Sequence, residues 1–583
     1  VIEAKKPARQ RQRARSGRCK ARSVWRQTSL WARTCLSAIC LAGAAAAQVA
    51  PGVQPGVIEK EFQAPQKPLS DRVPVPGPQS PMAPADAEKI RFVLKSVAFS
   101  GNTALTSEEL AAVAVPFMGQ EISLGQAFAM ANEVTRLYAE RGYALSVGFL
   151  PAQEIDGGAL KIEVVEGYVE DVVIDGDIAD RQDLWLAMGQ SLRASKPLRT
   201  ADLERALLLV DDLPGVAVSS VFEKSEAGRG ATTLNVIVTR DPFEGSLSLN
   251  NRGSAALGPI RAELALAANN LLGLEERLSV QLVRTPVNDE LGYVAGSFAV
   301  PLDADGTILF ADASYSRSNP GTFFLSLLEY AGDGFTGTLG VRHPFIRSRA
   351  ENLVGGLSFT FKDLTTDTLG FPFSKDRLSI IDLTLDYDIR DDWGGVNQVL
   401  LRLSAGLDVL DATKSDDPLR SRFAASGEFF VGQATLARLQ TLSDDLSLYL
   451  EVSGQYADRP LLTSEMCGYG GGQAGRAFDS FEISGDHCIK AVAELRWVLP
   501  PLADGYAFQL YAFADAGYVR RKGPIGFDET RTAEGQSAGG GIRMWAGEGW
   551  SGGLEVAVPF SRGVALESAS KDPRVFGYLT FSF

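Results

Sequence analysis

The chain has 583 residues, 57 Lys/Arg against 71 Asp/Glu, and is 45% hydrophobic, which excludes intrinsic disorder for its bulk. The charge is unevenly placed: residues 1–47 hold eleven bases and one acid, and without them 46 bases face 70 acids, a net charge of −24. So acidic a chain argues against nucleic-acid binding, which needs a basic surface, and only two His argue against an imidazole metal site.

The basic run Lys5–Arg33, the apolar stretch Leu36–Gly43 and the alanines Ala44–Ala47 have the order of a secretory signal over residues 1–47. The apolar part is about a dozen residues, too short to span a bilayer as a helix. Export would place the rest in an oxidising compartment. Of five Cys, three leave with the signal, and Cys467 and Cys488 remain, an even pair expected to form a disulfide. Residues 48–88 carry nine Pro between Pro51 and Pro84 and read as a semi-extended linker. Within it, Val57–Gln63 has the makings of two helical turns, marginal in isolation.

Two small mixed units follow, at 89–167 and 168–242. In the first, Ile90–Val97 reads as a strand closed by Gly101-Asn102, and Thr106-Ser107-Glu108-Glu109 as a helix start. Ala127, Met130, Ala131, Val134, Leu137 and Tyr138 set a helical period over Leu124–Arg141. Strands are expected at Ala144–Leu150 and Leu160–Val165. The second unit repeats the pattern with strands at Val169–Ile174, Val216–Lys224 and Thr232–Thr239 and a helix over Leu198–Leu213. Recurrence after about 75 residues points to tandem domains.

From Phe243 to Phe583 helical periods give way to short alternating stretches. Leu278, Val280 and Leu282 alternate with Ser279 and Gln281, and Leu446, Leu448, Leu450 and Val452 with Ser447, Tyr449 and Glu451. Such alternation between turn clusters is the pattern of a membrane-spanning barrel, the one form in which strands satisfy their hydrogen bonds in lipid. The chain ends Leu579-Thr580-Phe581-Ser582-Phe583, with alternate apolar residues on one face. A soluble β-sandwich or β-helix is the competing fold for this region.

Several segments carry a family resemblance. Val97–Thr103, Tyr138–Tyr143 and Lys161–Gly167 resemble POTRA domains, the periplasmic polypeptide-transport modules attached to outer-membrane barrels. The terminal Phe583 resembles the C-terminal signature of such barrels. Gly475-Arg476-Ala477-Phe478-Asp479 and Phe513-Ala514-Asp515-Ala516-Gly517 resemble the paired motifs of two-partner secretion transporters, the TpsB family. The resemblance implies a transmembrane β-barrel of about 16 antiparallel strands over 243–583, preceded by two α+β POTRA domains. It implies that an extracellular loop folds back into the lumen, with Arg476 at its tip meeting Asp515 on an inward-facing strand. Ala477 stands where the family carries Gly, which puts the tip's backbone conformation in question. Ile58–Gln63 resembles a reduced plug helix, and Cys467–Cys488 brackets the motif loop as a staple.

The implied function is secretion of a large, unfolded, TpsA-like exoprotein, recognised by the POTRA domains and passed through the barrel pore of a Gram-negative outer membrane. The other implied partners are outer-membrane lipid and, during biogenesis, the barrel assembly machinery; no cofactor is implied. A barrel assembly or insertion factor and a passive porin are the alternatives. Gly549-Trp550-Ser551-Gly552-Gly553 matches a nucleophile elbow, but His343 and His487 both precede the Ser, the wrong order for that triad. Gly470–Gly475 matches G-x-G-x-x-G without the βαβ unit that nucleotide binding requires.

Overall fold

The computed structural model describes residues 51–63, 86–176, 181–287, 289–501, 504–524, 530–564 and 570–583. The expected signal and most of the Pro-rich linker lie outside the described residues.

In the first α+β unit, Ala159–Val165 lies between Ser96–Ser100, parallel, and Val147–Phe149, antiparallel. Arg91–Val93 pairs separately with Glu121–Ser123. The one strand expected over Ile90–Val97 is therefore two, because the chain changes partner: Leu94 N–H bonds Gln120 O, whereas Lys95 N–H bonds Gly158 O. Helix Leu124–Glu140 opens with a reciprocal cap between Ser123 and Gln126. Its Ala127, Met130, Val134 and Tyr138 bury against Leu160, Ile162 and Val164. Each large side chain so buried contributes about 1.5–3 kcal/mol.

One carboxylate ties the three POTRA-like segments together. Glu166 accepts from Thr103 N–H at 2.6 Å, Ala104 N–H at 2.7 Å and the Tyr138 hydroxyl at 2.8 Å, as well as from the Thr103 hydroxyl. Burial acts to raise its pKa, but these donors outweigh it and hold the carboxyl below its ordinary range.

In the second unit Ala231–Arg240 lies between Tyr168–Asp175, parallel, and Val216–Lys224, antiparallel. Two helices cover this sheet, Gln182–Ala194 and Thr200–Asp211. Only the second was expected. The first shows its period in Leu184, Trp185, Met188 and Leu192, all buried. The units are joined by Leu198 N–H to Gly167 O and Thr200 N–H to Gly142 O, both 2.8 Å.

Sixteen strands then close a barrel: β1 (Phe243–Asn250), β2 (Arg261–Asn269), β3 (Arg277–Arg284), β4 (Leu291–Pro301), β5 (Ile308–Ser318), β6 (Ala331–Arg347), β7 (Glu351–Thr368), β8 (Phe371–Arg390), β9 (Gly395–Gly406), β10 (Phe429–Thr441), β11 (Leu446–Ala457), β12 (His487–Val498), β13 (Tyr506–Arg520), β14 (Thr532–Ala546), β15 (Trp550–Pro559) and β16 (Arg574–Ser582). All neighbours are antiparallel, and β16 closes on β1 from Tyr578↔Asn250 to Ser582↔Ser246. Phe583 extends the seam by exchanging both backbone hydrogen bonds with Gly245, at 2.8 and 2.9 Å. Val280, Leu282, Leu401, Leu403, Leu450 and Val452 are exposed on the outer face, the surface that lipid covers.

The end at which β1 begins carries the α+β units. Arg347 at the end of β6 makes a two-pronged pair with Asp212, both contacts 2.7 Å. Arg240 does the same with Glu275 in the β2–β3 turn, at 2.6 and 2.7 Å. Such forked, largely desolvated pairs fix orientation as well as position.

Candidate pore site: a helix and a long loop inside the barrel

Two segments occupy the lumen. The first is helix α1, Pro55–Phe62, entered through Pro at its first position. Eight residues are too few for a stable isolated helix. Here the barrel wall supplies the partners. Arg261 of β2 pairs with Glu61 at 2.5 Å, Thr336 of β6 donates to Glu59 at 2.6 Å, and Ser318 of β5 donates to Val53 O at 3.1 Å. Phe62 packs on Tyr293 of β4, with ring centres 5.0 Å apart. Val57 and Ile58 are buried.

The second is the loop 458–486 between β11 and β12. Its stem is the two-stranded ribbon Cys467–Tyr469 with Ile483–Gly485. A disulfide joins Cys467 to Cys488, the second residue of β12. Asp486, fully buried, accepts from Arg422 at 2.6 Å, Leu461 N–H at 2.7 Å and Lys522 N–H at 2.6 Å, which fixes the loop's return to the wall.

At the tip the backbone reverses through Gly475, whose φ of 82° lies in the left-handed region. Ala477 does not share that conformation, so its β-carbon imposes no backbone strain, and it is fully buried. Phe478 packs on Tyr469, ring centres 5.6 Å apart. Arg574 of β16 donates to Ala477 O at 3.1 Å and to Asp479 at 2.9 Å, holding the tip against the closing strand.

The Arg476 guanidinium does not pair with Asp515. It donates to Glu494 of β12 at 2.6 Å, reaches Glu555 of β15 at 3.5 Å and stacks 4.3 Å over the Phe513 ring. Asp515 instead accepts from the Arg476 backbone N–H at 3.2 Å, the Tyr469 hydroxyl at 2.7 Å and the Ser537 hydroxyl. Asp515 is already served by three donors, one of them the Arg476 backbone N–H, and the long guanidinium passes it to reach the next inward-facing acids. Glu494 also serves Arg496 at 2.7 Å and Arg543 at 2.9 Å, and Glu555 serves Arg252 at 2.5 Å and Tyr511 at 2.8 Å. The two motifs thus meet through Phe513, Asp515 and Gly517, but the compensating charges come from outside both. Gly517 is needed sterically, because a β-carbon there would run into the Tyr469 ring.

Tyr469, Glu494 and Glu555 are therefore site residues that motif reading missed. The two acids had a signal. Each sits between apolar, outward-facing neighbours on a strand, Ala493 and Leu495 or Leu554 and Val556, which marks it as an inward charge in need of a partner.

The helix and the loop touch each other. Lys60 donates to Met466 O at 3.1 Å, and Glu465 pairs with Lys362 of β7 at 2.9 Å. On the side of the α+β units a cavity of about 890 Å³ opens, lined by Trp185, Met188 and Leu209 of the second unit, Phe62 of α1, and Asp312 and Arg342 of the wall.

Comparison with known proteins bears on this arrangement. Residues 230–542 match the family described as haemolysin secretion/activation protein ShlB/FhaC/HecB, and residues 92–167 match the POTRA domain, ShlB-type. The heme/hemopexin transporter protein HuxB of Haemophilus influenzae (strain 86-028NP) is 23% identical over 500 residues, 83% of this chain and 87% of its own. The outer membrane transporter CdiB of Dickeya dadantii (strain 3937) is 24% identical, covering 70% of this chain and 72% of its own. The solved structure of CdiB from Escherichia coli shares the fold, with a TM-score of 0.66 and 20% identity over 86% of this chain and 93% of that one. The chain belongs to the haemolysin secretion/activation protein family and is an outer-membrane transporter of two-partner secretion.

Proposed function

We propose that this transporter takes an unfolded, TpsA-like exoprotein from the periplasm through its two α+β units and passes it through the barrel in extended form. The observation that carries this reading is the content of the lumen. The pore is filled by a helix and a loop held largely by side-chain contacts, so α1 can leave the wall without breaking a strand and the loop tip can move within the reach that its disulfide to β12 leaves. Helix α1 acts as a plug. The loop acts as a latch, with Arg476 and its acids, together with Asp515 and Tyr469, setting its closed position. The cavity of about 890 Å³ between the second unit and α1 is the receiving chamber for the partner chain, its apolar lip at Trp185, Met188 and Leu209 contacting alternate side chains of an extended segment.

A photo-crosslinking residue at Leu209 tests this. During active secretion it is expected to trap a large exoprotein, whereas the same group at Leu186, exposed on the neighbouring helix, traps far less. Equal trapping at both positions, or capture of folding barrels instead of an exoprotein, would contradict the reading.

A further inference from the structure

The β2–β3 turn, Asn270–Glu276, presents three leucines to its surroundings: Leu271 and Leu272 are about 60% exposed and Leu274 is 41% exposed. Its polar groups face the other way. Glu275 and Glu276 are fully buried. The Glu276 carboxylate accepts from Leu272 N–H at 2.7 Å and Leu274 N–H at 3.0 Å, the Asn270 side chain accepts from Glu275 N–H at 2.9 Å, and Glu275 holds Arg240. The turn is thus an apolar tip whose two carboxylates and several of whose backbone N–H groups are tied down inside.

We infer that this tip is inserted into the periplasmic leaflet of the outer membrane, where phospholipid acyl chains cover Leu271, Leu272 and Leu274. The occupant follows from continuity. The turn joins the lipid-facing rows Leu264-Leu266-Ala268 of β2 and Leu278-Val280-Leu282 of β3, and Phe243, 63% exposed, pairs with Ala268 at the adjoining edge. Bonding of the Leu272, Leu274 and Glu275 N–H groups within the turn lowers the cost of placing the tip in hydrocarbon. Elsewhere at this end Trp393 in the β8–β9 turn and Trp550 at the start of β15 are amphipathic rings suited to the headgroup level, whereas three leucines in one turn favour a deeper position. The same turn grips the second α+β unit, through Arg240 to Glu275 and through Arg181 to Leu274 O at 3.5 Å. Insertion therefore fixes that unit relative to the bilayer, beyond what its contacts with the barrel alone provide.

A nitroxide label on Leu272→Cys in the full chain, reconstituted in phospholipid vesicles, tests the depth. The oxygen-to-nickel accessibility ratio is expected to be several-fold higher than for Leu186→Cys. A ratio equal to that of Leu186→Cys overturns the inference, as does shielding that develops only when an exoprotein is added. The anchoring half is tested with Leu271→Ser/Leu272→Ser, using heat-modifiable mobility as the check that the barrel folds. Distances between labels at Leu186 and Asp392 are expected to spread; an unchanged distribution overturns it.

Discussion

Arg476 is a buried cation that the fold can tolerate only because Glu494 and Glu555 face it. Leaving a buried charge without its partner costs about 3–5 kcal/mol. Arg476→Ala strands Glu494 less than it would an isolated acid, since Arg496 and Arg543 remain beside it. The loop nevertheless loses its charged anchor while Arg574, Tyr469 and the disulfide still hold it, and faster hydrogen exchange across 470–485 in a barrel that stays folded is the expected result. A double-mutant cycle separates the two acids. Coupling of Arg476 to Glu494 is expected to exceed its coupling to Asp515, which reaches Arg476 through a backbone N–H that substitution leaves in place. The opposite order would show that the guanidinium serves Asp515. This detail was partly legible in the sequence. The two motifs name the residues that converge, but the carboxylate a guanidinium chooses depends on which acids face inward on neighbouring strands, here β12 and β15, and that is a property of barrel closure and register.

Among the elements, α1 has no independent stability and owes its conformation to the wall. Arg261→Ala removes the cation that holds Glu61 and the surface under Phe62. Single channels in planar bilayers are expected to open more often and to larger conductance than in the parent; identical traces would mean that α1 does not gate the pore. The first α+β unit has a pH-dependent knot in Glu166. Its carboxyl is held below the ordinary range when folded, so its stabilisation is complete above the unfolded pKa, about 4.3, and is lost as pH falls through the lower folded value. The hydrogen-exchange protection factors of the unit, corrected for the intrinsic rate, are expected to fall below about pH 4, and Glu166→Gln to flatten that dependence. Most elements could be read from periodicity and caps: Leu124–Glu140 ends within one residue of its expected bound. Gln182–Ala194 carries no start signal, because Arg181 at its N-cap makes no side-chain cap hydrogen bond. The break at Leu94 was missed because pairing partners leave no local trace.

At the scale of the molecule, charge, order and topology agree. A −24 remainder suits periplasmic units, a polar lumen and extracellular loops. The closed barrel leaves no strand edge in lipid, and the interior segments stand in the path a secreted chain would take. Strand number followed from the resemblance, since alternation marks a strand without counting its neighbours. The central claim is tested most directly by comparing the culture medium and outer-membrane proteins of a strain lacking this chain with those of its parent and a complemented strain. Loss of a large secreted protein from the medium, with the other outer-membrane barrels at parental levels, is the expected result. An unchanged set of secreted proteins, or a general loss of barrels, would contradict the account.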